Sequence, residues 1–130
     1  MRWVLAAGLC LMMPATALSS GFLTRDLGEG GHYEDCMVRA LQSLQVYLDR
    51  TGAQRADVTQ GDWAVYAFRL MPGAVDVQIA CPYRNNIAHI VLLTTHSAGP
   101  EADRERVLVG IAGIWDALAH GGLPPAGDRK

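Results

Sequence analysis

The densest run of side chains able to do chemistry is His32-Tyr33-Glu34-Asp35-Cys36, in which an imidazole and a thiol stand four residues apart, the spacing of two ligands on one helical face. A metal site needs three or four donors, and the two acids equally suit the first turn of a helix, where carboxylates favour the positive end of the dipole. His89 and His96 are seven apart, so in an extended segment they point to opposite faces and cannot share an ion. His96-Ser97 sets an imidazole beside a hydroxyl, yet neighbours in a strand point apart and no Gly-x-Ser-x-Gly elbow is present. Ser97 reads instead as a loop or capping residue. Asp57, Asp62 and Glu101 are too scattered for a paired-carboxylate site, and Gly28-Glu29-Gly30-Gly31 lacks the preceding strand that a phosphate-cradling loop requires. The expectation is a non-enzyme with no catalytic residue, no cofactor and no metal.

The cysteines carry a more definite message once the first residues are read. Arg2 supplies a positive start, Trp3 to Met13 an apolar run, and Ala15-Thr16-Ala17 a small-x-small cleavage site, together the pattern of an export leader over residues 1–17. Its removal discards Cys10 and leaves Cys36 and Cys81 in an oxidising compartment, periplasmic or extracellular, which predicts a disulfide between them. A bond closing so long a loop is worth about 4 kcal/mol in the chain-entropy picture. No second apolar run reaches the roughly 18–20 residues of a bilayer span, so no membrane association is expected after cleavage. Losing Arg2 leaves ten basic side chains against 13 acidic ones, a formal charge of −3, which offers no footprint for nucleic acid.

Residues 33–49 place Cys36, Met37, Ala40, Leu41, Leu44, Tyr47 and Leu48 at three- and four-residue steps, an amphipathic helix stopped by Thr51-Gly52. Three β-type runs follow, 63–70, 74–81 and 87–95, separated by Met71-Pro72-Gly73 and by Pro82 to Asn86, links short enough to demand antiparallel hairpins. A second helix starts at Gly99-Pro100, with Pro100 as its first residue. It carries Val107, Leu108, Ile111, Ile114, Trp115 and Leu118 on one side, and its Gly110 and Gly113 imply a close approach by another backbone. The predicted fold is α+β and two-layered: helix, three-stranded antiparallel meander, helix, with both helices on one face of the sheet. Around it the chain divides into a leader (1–17), a flexible lead-in (18–31), the single domain (32–122) and a polar tail (123–130).

Pairing Leu70 with Val75 across the first turn puts Phe68 on Val77, Tyr66 on Ile79 and Ala64 on Cys81, all on the dry face, with Arg69 opposite Asp76 on the other. The third run is apolar on both faces, so one row must look away from the core. That row, with Trp63 and Val65, forms an outer patch, and large exposed apolar patches mark partner sites. The expected partner surface is Trp63, Val65, Gln78, His89, Val91 and Leu93, with Tyr83 and Arg84 from the polar hairpin tip. The expected role is a small exported protein that binds another macromolecule, an inhibitor, immunity-type protein or assembly accessory, or else itself as a homodimer through the sheet face. The alternative is a periplasmic small-molecule or metal-binding protein with its pocket between helices and sheet.

Overall fold

The computed structural model describes residues 20–52 and 57–121; the expected leader and tail lie outside the described residues. In chain order the elements are β1 (Gly21–Asp26), β2 (Gly31–His32), α1 (Tyr33–Thr51), β3 (Val58–Gln60), β4 (Ala64–Leu70), β5 (Val75–Ala80), β6 (Ile87–Ala88), β7 (Leu92–Ser97) and α2 (Glu101–Ala119). Five strands form one antiparallel sheet in the order β1-β7-β5-β4-β3, and β2 and β6 make a separate two-stranded ribbon. The fold is α+β with two helices, as the periodicity indicates, but its sheet has five strands rather than three.

α1 packs on β4, α2 packs on β7 and β1, and the helices pack on each other. Both follow their sequence signals. α1 carries Glu34 and Asp35 in its first turn, ends at Gly52 with φ 66°, and buries Cys36, Met37, Ala40, Leu44, Tyr47 and Leu48. α2 starts one residue later than expected, with Pro100 as its cap, and buries Val107, Leu108, Ile111, Ile114 and Trp115. Gly110 marks the expected close approach: a Cβ there would come within 2.8 Å of the Tyr47 ring, so the helices meet ring against backbone. Gly113 has no such neighbour.

Three features depart from the sequence reading, each for a definable reason. The segment expected to be a flexible lead-in supplies β1, which pairs with β7 from Gly21↔Ser97 to Asp26↔Leu92. Its alternation is short and set among glycines and serines, but Leu23 and Leu27 pack on the core while Phe22 and Thr24 face out. Beyond it, residues 27–30 strap across the chain at 88–91, with Gly30 N–H donating to the Ala88 carbonyl and Leu27 N–H to that of Val91. Gly30 must be glycine here, because a Cβ would stand 2.5 Å from the Cys36 sulfur.

The third run is broken where this strap crosses it. Residues 87–88 join β2, residues 92–97 join the main sheet, and the break lets Ala88 and Val91 both be fully buried although three positions apart. The third departure lies in β4. Leu70 does pair with Val75, but Ala67 then pairs with Val77, so Phe68 and Arg69 together oppose Asp76 in a β-bulge. Arg69 adopts φ 60° and its N–H bonds the Asp76 carboxylate at 3.1 Å, while its guanidinium reaches Asp57 at 3.8 Å, not Asp76. The extra residue reverses the parity of β4: Val65 and Ala67 turn into the core, and Tyr66 and Phe68 turn out.

Candidate functional site

The bulge and the break redistribute the expected partner surface. Val65, Val91 and Leu93 are fully buried beneath the helices and leave it. Gln78 lies half-buried on the opposite, open face of the sheet, and Trp63, Tyr83, Arg84 and His89 are exposed. The expected patch therefore resolves into two surfaces, an aromatic ledge at one end of the domain and the open sheet face.

The ledge is built around the disulfide. Cys36, one turn into α1, is bonded to Cys81, just past β5, with a Cα–Cα distance of 6.2 Å, and both are fully buried. The bond fixes the path of Pro82 and Tyr83 relative to the start of α1. A backbone bond from Cys81 N–H to the Trp63 carbonyl at 2.7 Å ties in the residue that opens β4. Residues Arg84 to Ile87 then close a tight hairpin, with Arg84 and Ile87 exchanging N–H···O bonds of 3.0 and 3.1 Å. Asn85 and Asn86 take left-handed φ values of 52° and 63°, the two-residue turn that asparagine tolerates best after glycine. Tyr33 N–H donates to the Asn86 carbonyl at 2.9 Å, pinning this hairpin against α1.

On that frame the Tyr33 and Tyr83 rings stack with centroids 4.2 Å apart, and His32 stacks on Tyr33 at 5.5 Å. The Tyr33 hydroxyl donates to the Glu34 carboxylate at 3.3 Å, and the charge of Glu34, ahead of burial, raises the phenol above its usual range. Trp63, Pro82 and Tyr83 line an open cleft of about 410 Å³. Trp63 is 47% and Tyr83 48% exposed. Large amphipathic rings held in place by covalent and backbone ties, yet left half in water, can bury area against a partner at little entropic cost.

The open sheet face carries a row of Thr24, Thr94, Gln78, Tyr66 and Thr59 across all five strands, with the Thr24 and Thr94 hydroxyls 3.1 Å apart. Beside it Phe22 packs on His96 at 4.4 Å and Phe68 is exposed from the bulge. Phe22, Tyr66 and Phe68 were missed by sequence reasoning. The alternation of Gly21 to Asp26 holds the signal for Phe22; nothing local flags the bulge. His89 lies in the break between β6 and β7 and His96 within β7, so they do not share one strand as expected, and His32 cannot use Cys36 as a ligand because that sulfur is in the disulfide. Among the described residues no three His, Cys, Asp or Glu side chains gather as a metal site. Between the helices Arg39 lies 3.7 Å over the Trp115 ring and donates to its backbone carbonyl, a packing role in which burial lowers the arginine pKa. Compared with known protein families, with curated proteins and with solved structures, the chain finds no match.

Proposed function

We propose that the chain is a small exported, non-catalytic protein that binds a protein partner, anchored on the aromatic ledge and extended over the open sheet face. The observation that carries the reading is the pairing of Trp63 and Tyr83 as half-exposed walls of one cleft, backed by the stacked Tyr33 and His32. Binding energy concentrates in such anchored aromatics, with Tyr and Trp enriched among the residues whose truncation costs most. A small-ligand protein would use the same cleft, but among the described residues its lining, Trp63, Pro82 and Tyr83, offers no charged group to orient a polar molecule. Export is supported by the Cys36–Cys81 bond and by the leader pattern of residues 1–17; among the described residues no helix is long and apolar enough to cross a membrane.

The test is comparative capture from the exporting cell by tagged wild-type protein, Trp63→Ala, Tyr83→Ala and, as an exposed apolar control away from the ledge, Val109→Ser. A partner retained by wild type and Val109→Ser and lost, by tenfold or more in affinity, from both ledge variants is the expected result. Equal retention by all four overturns the assignment of the ledge.

A further inference from the structure

We infer that the outer edge of β1 is a self-pairing surface, through which two copies of the chain join antiparallel into one continuous ten-stranded sheet. β1 ends the sheet order, and among the described residues nothing pairs with its outer edge. In an antiparallel ladder alternate residues direct both N–H and C=O to the same neighbour. Leu27 N–H donates to the Val91 carbonyl in the same register as Arg25↔Leu93, so the odd positions Leu23 and Arg25 bond inward to β7. The N–H and C=O groups of Phe22, Thr24 and Asp26 therefore point outward, a row of donors and acceptors that no described residue pairs.

Edges of this kind are ordinarily blunted by proline, lysine, a bulge or a very short strand. β3, the opposite edge, is three residues long. β1 has no proline or bulge and its charges, Arg25 and Asp26, are confined to one end: six residues, Gly-Phe-Leu-Thr-Arg-Asp, paired without interruption and carrying Phe22 at 71% exposure. A strand edge is self-complementary in donors and acceptors, so a second copy satisfies it without any other protein supplying a strand. A two-fold axis through Thr24 pairs Thr24 with itself, Phe22 with the second copy's Asp26 and Leu23 with the second copy's Arg25. No like charges face each other in this register, whereas an axis through Arg25 sets guanidinium on guanidinium. The axis stands perpendicular to the sheet, so the open faces of both copies become one surface.

The occupant also follows from chain length, and in this respect the inference rests on the export reading. With the leader removed after Ala17, Leu18, Ser19 and Ser20 alone precede β1, too few to turn and run back along its edge.

The protein is produced with its leader, its mass is checked for loss of residues 1–17, and its molar mass is measured by sedimentation from micromolar to several hundred micromolar. The expected result is a concentration-dependent dimer. Thr24→Pro removes one outward N–H without touching the bonds to β7, as edge strands permit, and Thr24→Lys sets two ammonium groups across the axis. Both variants should melt as one transition and remain monomeric, the dissociation constant rising at least tenfold. Should Thr24→Pro fail to fold, Thr24→Lys decides. A monomeric wild type across the range, or a dimer that survives Thr24→Lys unweakened, overturns the inference. A retained leader on the purified chain would count against export alone, because the sedimentation result is read separately from the mass.

Discussion

Among single residues, Tyr47 joins three parts of the molecule, α1, α2 and the turn after β4. It is buried, its ring fills the space beside Gly110 of α2, and its hydroxyl donates to the Met71 carbonyl at 2.7 Å, tying α1 to the turn between β4 and β5. Burial, partly offset by Arg106, raises its pKa above the ordinary tyrosine value of 10.0. The unfolded chain therefore ionises first: the stability from the neutral buried phenol is fully present below about pH 10 and is lost as pH rises towards the folded-state value. Tyr47→Phe should cost about 1 kcal/mol at pH 7, for the lost bond and the carbonyl left without its donor, and should flatten the alkaline loss. Urea midpoints at pH 7, 9 and 11 test both parts, and an alkaline loss as steep in Tyr47→Phe as in wild type would place the ionisation elsewhere. Arg104 shows how a charge can be held inside by backbone oxygens: its Nη1 donates to the carbonyls of Ser97 and Gly99, closing the passage from β7 into α2.

At the scale of elements the bulge in β4 has the largest effect for one residue. Arg69 is non-glycine at φ 60°, a conformation that costs an L-residue roughly 1–2 kcal/mol. Arg69→Gly should therefore leave stability unchanged or raise it by up to about 1 kcal/mol, since the exposed 3.8 Å pair with Asp57 contributes little. Arg69→Val should lower it by about 1–2 kcal/mol, because a β-branched residue tolerates that φ least. Thermal melts of the pair decide; a less stable glycine variant would show that the Arg69 side chain, not the backbone shape, holds the bulge. This element also shows where the sequence is readable and where it is not. α1 and α2 are legible because each carries an unbroken apolar stripe, from Cys36 to Leu48 and from Val107 to Leu118. The inward parity of Val75, Val77, Ile79 and Cys81 is legible from β5 alone, and with it the disulfide. The bulge is not, because arginine carries no signal for a left-handed backbone, and the parity error it creates propagates to Val65, Tyr66 and Phe68. Val91 and Leu93 were misplaced for a non-local reason: the strap that breaks the third run lies some sixty residues earlier in the chain.

Taken whole, the described residues form a five-stranded sheet with both helices on one face, beside a two-stranded ribbon, and a covalent tie joins the layers. Replacing both Cys36 and Cys81 by Ala should lower the unfolding free energy by about 4 kcal/mol, as expected for freeing a loop with a sequence separation of 45, and it should loosen the ledge first because Tyr83 lies two residues past the bond. Chemical denaturation of the double variant tests the magnitude; a loss under about 1 kcal/mol would mean that the unfolded state gains little freedom from the cut. The placement of β1 against β7 has a consequence for how the molecule is made. Thr24 meets Thr94, 70 positions later, so the strand that leaves the ribosome first has no seat until nearly the whole domain has been translated. At about 5–20 residues per second that interval lasts several seconds, during which a nascent chain displays an unclaimed β-strand to whatever chaperone or neighbouring polypeptide is within reach.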